Sequence, residues 1–195
     1  MVVKGFAREI YTYDPIERPQ QGDARLEEGQ LFLPHQGVYK NERKDKVKVV
    51  FDASAETKGL SLNRALFCGP KLQTEVTHVL TRFREFSVAF CADIADMSAC
   101  IHLNSQDAKK HRFIFQKGGE TLMHVYEMNR LTFGDGPSPC VAIATLRQTA
   151  RDFGAKDSQA VKSIEENFYV DDWLKSTVTL EEAEILAKDS EAGQF

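Results

Sequence analysis

The order of predicted strands and helices constrains the fold of this chain more than any other feature of its sequence. Strands are predicted where β-branched or aromatic runs are bounded by turn residues, and helices where apolar residues recur at helical spacing. The predicted strands are 47–51, 88–92, 112–116, 121–126, 167–170 and 173–175, and the predicted helices are about 72–86, 139–154, 158–165 and 179–190. Residues 1–37, which are rich in proline and glycine, are predicted to be irregular. This order predicts an α+β fold with a mainly antiparallel sheet.

The composition is that of an ordinary globular protein. The 195 residues are 42% hydrophobic and 28% charged, which excludes a disordered tail, a collagen-like repeat and a coiled-coil rod. Four cysteines are scattered without a CxxC pair, so we expect reduced thiols and an intracellular protein, either cytoplasmic or nuclear. The first residues contain no apolar run long enough for a signal peptide, and we expect no membrane partner.

The charge is unevenly distributed along a chain whose formal net charge is −4. Acidic residues dominate residues 161–195, whereas a basic cluster lies between Lys40 and Lys48 and a second one at 109–112 (KKHR). Such clusters are either solvated faces or contacts for the phosphates of a nucleic acid. The sequence alone leaves both interpretations open.

Three aspartates follow two of the predicted strands. Asp93 ends the apolar run at 88–92, and Asp171 and Asp172 follow the hydrophobic residues 168–170. Two adjacent carboxylates at a hairpin tip repel each other unless a cation or a hydrogen-bond network compensates their charge. Together the three could hold two Mg²⁺ ions for an in-line displacement at phosphorus. Adjacent aspartates are also common as solvated turn formers, and this alternative stays open at this point.

Several motifs, in one order, resemble those of the reverse transcriptases of Bel-Pao class LTR retrotransposons. KVKVVFDAS (46–54) and GLSLN (59–63) resemble the fingers, and ADI (92–94) followed by Met97 resembles polymerase motif A. LTFG (131–134) with Ser138 and Pro139 resembles motif B, and FYVDD (168–172) resembles motif C. Each motif alone is weak, but five in register are specific. The resemblance runs from about residue 6 to residue 195.

The resemblance implies a single domain that combines a polymerase palm, a ferredoxin-like antiparallel sheet with helices on one face, with a partial fingers lobe. About 1–87 and 108–130 would be mainly fingers, and about 88–107 and 131–195 mainly palm. The thumb and RNase H domain of such polymerases are expected to lie outside this chain. It therefore resembles a segment of a polyprotein, and self-association or contact with the remaining polyprotein domains is expected.

The resemblance also implies an activity, RNA-directed DNA polymerisation by two-metal nucleotidyl transfer from a dNTP to a primer 3′-hydroxyl. The partners would be an RNA or DNA template with its primer and a dNTP, and the cofactor would be Mg²⁺, with Mn²⁺ as an alternative. The catalytic metal ligands would be Asp93, Asp171 and Asp172. The residues implied in nucleotide binding are Lys46, Lys48, Ile94, Ser98, Phe133 and Gly134.

One position departs from the pattern of the family. Five residues after Asp93 the family usually has an aromatic residue that excludes the ribose 2′-hydroxyl, and this chain has Ser98. A small side chain predicts poor discrimination between ribonucleotides and deoxynucleotides.

Two alternatives to an active reverse transcriptase stay open. One is a catalytically silent nucleic-acid-binding relic of a retroelement, and the other is an unrelated ferredoxin-like module with a chance Asp-Asp turn.

Overall fold

The structure is a computed structural model that describes residues 5–16, 30–39, 47–155 and 158–192. The chain divides into two compact units, each built from separate stretches of sequence. Unit 1 comprises 1–67 and 98–138, and unit 2 comprises 68–97 and 139–195. Within the described residues the structure contains eight strands and six α-helices.

Unit 1 contains a three-stranded antiparallel sheet and a β-hairpin. The sheet has the order β1 (Ala7–Tyr13), β6 (Met123–Met128), β5 (Arg112–Phe115), with β6 in the centre. The hairpin pairs β2 (His35–Tyr39) with β3 (Val47–Phe51). Two short helices, α1 (Leu62–Ala65) and α3 (Ser105–Ala108), complete the unit.

Aromatic side chains from these strands form much of the core of unit 1. Phe113 of β5 contacts Phe51 of β3 edge to face, with ring centroids 5.1 Å apart, and stacks on Tyr126 of β6 at 5.3 Å. Such pairs add about 0.5–1.5 kcal/mol to the stabilisation from burial itself. The core therefore joins the hairpin to the sheet.

A buried carboxylate crosses the same sheet. Glu127 of β6 carries a charge but is only 1% exposed, and the other residues of this strand are buried as well, except for the half-buried Met123. Its Oε2 accepts a hydrogen bond from Arg112 Nε at 3.1 Å, and its Oε1 accepts one from an Arg8 guanidinium nitrogen at 2.7 Å. Because Arg8 lies on β1 and Arg112 on β5, this one carboxylate links all three strands.

Unit 2 contains a second antiparallel sheet, in the order β4 (Val88–Asp93), β8 (Asp172–Thr177), β7 (Phe168–Tyr169). Three of its helices, α2 (Val76–Phe83), α5 (Gln159–Asn167) and α6 (Leu180–Ala192), pack against β8. The longest helix is α4 (Ser138–Phe153). Thr179 caps α6, since its hydroxyl accepts a hydrogen bond from Glu182 N at 3.2 Å.

Trp173 anchors the sheet of unit 2 to its helices. Its indole nitrogen donates to Ser163 Oγ of α5 at 2.9 Å, so its polar atom is satisfied although the residue is 6% exposed. The ring contacts Phe90 of β4 edge to face and stacks on Phe168 of β7. The residue next to Asp172 is thereby held by all three strands and a helix, which gives the aspartate a rigid neighbour.

The structure confirms the α+β class and most of the elements predicted from the sequence. Three predictions are corrected. Residues 1–37 are not irregular throughout, because β1 lies there and β2 begins at His35. The helix predicted for 72–86 is shorter, since Glu75 is extended and the helix starts at Val76. The tight turn was predicted at Asp171-Asp172, but Asp172 is the first residue of β8 and pairs with Tyr169, so the turn is Val170-Asp171.

None of the four cysteines, at positions 68, 91, 100 and 140, takes part in a disulfide in this structure. Among the described residues, we find no helix with the length and apolar character needed to span a membrane.

Candidate active site

Three aspartates converge at the edge of the unit 2 sheet where β4 ends and β8 begins. Asp93 is the last residue of β4 and lies directly across from Asp172, the first residue of β8. Asp171 occupies the turn that precedes β8, and its carbonyl accepts a hydrogen bond from Ile94 N at 3.0 Å. One carboxylate oxygen from each aspartate lies within 4.8 Å of those of the other two.

The hairpin that carries Asp171 has an unusual backbone. Val170 has a φ of 59°, in the left-handed region that β-branched residues rarely adopt. Such a residue costs of order 1–3 kcal/mol and persists only where its surroundings enforce it. The pairing of Tyr169 with Asp172 on one side, and of Asp172 with Asp93 on the other, supplies that enforcement.

The donor set fits a hard divalent cation. All three candidate ligands are carboxylates, and within the described residues none of them forms a salt bridge with a lysine, arginine or histidine. Asp93 and Asp172 are exposed and Asp171 is half-buried, so an ion can reach them and still keep water in its shell. Mg²⁺ binds in this way, through a few carboxylates plus waters or substrate phosphates. The three residues named from the sequence therefore lie together as one candidate metal site.

Three further predicted residues lie together in unit 1. The Lys48 ammonium lies over the Phe133 ring, 4.8 Å from its centroid, and Phe133 is 47% exposed. A cation over an aromatic face at this distance is attracted by about 0.5–1 kcal/mol at an exposed site. Gly134 follows Phe133 with a φ of 109°. Phe133 is therefore not a core residue, because it is largely exposed and its ring contacts the Lys48 side chain.

Gly134 cannot be replaced by alanine without local strain. Besides its positive φ, a Cβ at this residue would lie 2.8 Å from the Phe51 carbonyl oxygen. We expect Gly134→Ala to lower the free energy of unfolding by roughly 1–3 kcal/mol in urea denaturation. Gly118→Ala is the matched control, because Gly118 has no neighbour within 4 Å of the added atom and no positive φ. Equal midpoints for the two variants would contradict this prediction.

The remaining predicted residues are placed as follows. Ile94 is half-buried and directly follows β4. Ser98 is 5% exposed in a short 3₁₀ helix, Met97–Cys100, so its contact with a nucleotide sugar stays a prediction. Lys46 lies outside the described residues, as do most members of the first basic cluster.

Half of the second basic cluster points inward. His111 and Arg112 are buried, at 4% and 7% exposure, and each bonds to a buried carboxylate. Their role as phosphate contacts is therefore excluded in this structure, and the charge at 109–112 on the surface is that of Lys109 and Lys110. The signal that could have revealed this is β5 itself, since Arg112 opens a strand that continues into Phe113, and His111 directly precedes that strand.

Structural comparison identifies the architecture. The chain superposes on a foamy viral protease–reverse transcriptase in complex with double-stranded DNA with a TM-score of 0.67, at 14% identity over 98% of this chain and 27% of that chain. The fold is reverse transcriptase-like. The Prototype Foamy Virus protease–reverse transcriptase, as a CSH mutant, matches with a TM-score of 0.58 and 15% identity over 84% of this chain and 19% of that one. A foamy viral protease–reverse transcriptase in complex with an RNA/DNA hybrid matches with a TM-score of 0.56 and 16% identity, over 83% of this chain and 19% of that one.

This reverse transcriptase-like chain spans about a quarter of the length of the first of these proteins. No protein-family model matches its sequence, and no curated protein matches it either. At these identities the likeness establishes the fold, a palm and fingers arrangement of antiparallel sheets and helices. The convergence of Asp93, Asp171 and Asp172 is observed in the chain itself.

Proposed function

We propose that this chain is part of a retrotransposon RNA-directed DNA polymerase that transfers a nucleotide from a dNTP to a primer 3′-hydroxyl by two-metal catalysis. One observation carries the proposal: in a reverse transcriptase-like fold, Asp93, Asp171 and Asp172 bring their carboxylates within 4.8 Å of one another. The Bel-Pao class is supported by the order of its sequence motifs. A location in a cytoplasmic retroelement particle or in the nucleus is part of the same proposal.

The residues of the chain have separate tasks in this reaction. Asp93, Asp171 and Asp172 would hold Mg²⁺, or Mn²⁺, on their carboxylate oxygens. The bound metal would lower the pKa of the primer hydroxyl and stabilise charge on the triphosphate. Lys48 would contact the triphosphate as a point charge, because lysine lacks the bidentate geometry of arginine. Phe133, Gly134 and Ile94 would take part in nucleotide binding, and Ser98 would lie near the ribose.

Primer extension on a primed RNA template tests the proposal, with Mg²⁺ and separately with Mn²⁺. The control is the double variant Asp171→Ala, Asp172→Ala. Extension by the unchanged chain and its loss in the control would support two-metal polymerisation. Binding of an RNA–DNA duplex by both proteins, with steep salt dependence but no extension, would support a second candidate, a catalytically silent nucleic-acid-binding relic. Absence of both binding and extension would overturn both candidates.

The second candidate, the catalytically silent relic, is favoured by Ser98, because the family usually has an aromatic residue at this position.

If the chain extends primers, the small side chain of Ser98 leads us to expect weak selection of dNTPs over ribonucleotides. Ser98→Tyr is expected to increase that selection, measured as the ratio of kcat/KM values for dGTP and GTP. Since Ser98 is 5% exposed, thermal unfolding of the variant must first show that the larger side chain is accommodated. Equal selectivity in the two folded proteins would contradict the prediction.

A further inference from the structure

The loop 132–138 of unit 1, which carries Phe133 and Gly134, is fixed by hydrogen bonds within itself. Thr132 Oγ1 donates to Asp135 Oδ2 at 2.6 Å, and Ser138 Oγ donates to the Thr132 carbonyl at 2.6 Å. The Ser138 amide donates to the Asp135 carbonyl at 3.0 Å. All three residues are buried, whereas Phe133 and Gly134 are exposed. The loop therefore has a polar interior and presents its two candidate nucleotide residues outward.

A buried histidine holds the interior of this loop. His111 Nε2 lies 2.8 Å from Asp135 Oδ2, and the two side chains are 5% and 1% exposed. The other ring nitrogen, Nδ1, lies 2.9 Å from the Asp107 carbonyl oxygen. With two acceptors on its two nitrogens, the ring satisfies both only as the protonated imidazolium, in which both nitrogens donate. The other Asp135 oxygen, Oδ1, is buried and accepts no hydrogen bond from the described residues.

An asparagine side chain holds the opposite side of the loop. Asn63 Nδ2 donates to the Gly134 carbonyl at 2.9 Å, and Asn63 Oδ1 accepts from Gly136 N at 2.7 Å. The same Nδ2 donates to Ser54 Oγ at 2.9 Å, which ties the loop to the residues that follow β3. Because Lys48 lies on β3, its position over Phe133 depends on this connection as well.

We propose that His111, Asp135 and Asn63 are positioning residues that set the nucleotide affinity of loop 132–138, and that protonation of His111 makes this affinity depend on pH. None of the three needs to touch the nucleotide. They hold the backbone of Phe133 and Gly134, and a loop released from them has to be reordered each time a nucleotide binds. This inference rests on the proposed function for the identity of the ligand, but the contacts that carry it are independent of that function.

The direction of the pH effect follows from the groups that face His111. Burial lowers its pKa, but the hydrogen bonds to Asp135 and to the Asp107 carbonyl, with the charges of both aspartates, outweigh burial and raise the pKa above its ordinary value. A group whose pKa is raised on folding contributes stability that is complete below the unfolded value of about 6.5 and is lost as pH rises through the folded value. The loop is therefore expected to loosen, and the KM for the nucleotide to rise, over that range.

Steady-state primer extension between about pH 5.5 and about pH 9, on either side of the histidine titration, tests the proposal. The variants are His111→Gln, which retains a side-chain amide donor but no charge, His111→Ala and Asn63→Ala. We expect both alanine variants to raise the KM for the dNTP by about tenfold, which corresponds to the loss of one or two hydrogen bonds to the loop, with kcat changed much less. His111→Gln is expected to remove the added pH dependence of KM.

His124→Gln is the matched control. His124 is also a buried histidine of unit 1, at 5% exposure, and it bonds to a carboxylate, that of Glu120, at 2.5 Å. Its carboxylate partners, Glu120 and Glu9, lie outside loop 132–138. Any ionisation of the nucleotide itself affects this control as it affects the unchanged chain. A pH profile and KM shifted as much by His124→Gln as by His111→Gln would overturn the proposal.

Hydrogen exchange of the protein alone separates this inference from the proposed function. Peptides that cover 132–138 are expected to exchange faster in His111→Ala and Asn63→Ala than in the unchanged chain or in His124→Gln. If these peptides exchange faster in the two alanine variants but neither the unchanged chain nor any variant extends primers, the positioning of the loop is supported and the proposed polymerase activity is overturned. Unchanged exchange in both alanine variants would overturn the inference, whatever the activity.

Discussion

Replacing Asp93 with asparagine is expected to lower the rate of primer extension by about 10²–10³-fold, the usual loss when one group that stabilises transition-state charge is removed. Asparagine is nearly isosteric, so β4 and its pairing with β8 should be retained. The change removes one of three carboxylates that converge within 4.8 Å. Single-turnover extension at saturating Mg²⁺ is the measurement, because it reports chemistry rather than product release.

The same variant is expected to be more stable than the unchanged chain when no divalent ion is present. Asp93 and Asp172 lie directly opposite each other on antiparallel strands, and like charges in such a pair cost roughly 0.2–1 kcal/mol. Mg²⁺ should then raise the Tm of the unchanged chain, because it binds the folded state, and should raise that of Asp93→Asn much less. Asp189→Asn, which removes the same charge from an exposed position on α6, is the control. Identical Mg²⁺ effects on all three proteins would refute the metal site.

Replacing Glu127 with alanine is expected to have the largest effect on stability, a loss of about 3–5 kcal/mol in the free energy of unfolding. The reason is the charge that remains, since the Arg112 side chain is 9% exposed and would lose the carboxylate that accepts from its Nε. Arg8, at 63% exposure, can instead be hydrated. Urea denaturation followed by circular dichroism measures the change.

Two further variants make this second prediction specific. Glu56→Ala removes a carboxylate of the same unit whose ion pair with Arg64 is exposed, and it should cost no more than about 1 kcal/mol. The double variant Arg112→Met, Glu127→Leu should recover much of the stability lost in Glu127→Ala, because neither buried charge then remains. A double variant no more stable than Glu127→Ala would mean that lost packing, rather than the buried arginine charge that has lost Glu127, causes the effect.

The sequence predicts those parts of the fold that depend on local patterns. The strands β3, β4 and β5 and the helix capped by Thr179 follow from apolar runs, turn residues and capping chemistry within a few positions. Strand β1 was missed because its neighbours are rich in turn formers and its partner, β6, lies more than a hundred residues further along the chain. No local pattern contains that pairing.

In the candidate site, too, the features that follow from local patterns were predicted and those that depend on contacts distant in sequence were not. The convergence of Asp93 with Asp171 and Asp172 was predicted because all three follow strands. The exact turn was not, since a valine with a φ of 59° contradicts the backbone preference of its residue type, and only the pairing of Tyr169 with Asp172 reveals it. Asn63 and the His111–Asp135 pair were missed as positioning residues because their contacts cross 71 and 24 positions of sequence.

The discontinuity of both units determines the order in which the protein can fold during synthesis. Strand β4 ends at Asp93, but its partner β8 begins at Asp172. At ribosomal rates of about 5–20 residues per second, β4 waits roughly 4–16 s for a partner. During that interval the backbone N–H and C=O groups of β4 lack their hydrogen-bond partners on β8, and an unpaired strand is prone to pair with another chain. Neither three-stranded sheet can be completed before its central strand, β6 or β8, has left the ribosome. Slowing translation after residue 93 is therefore expected to increase aggregation rather than assist folding.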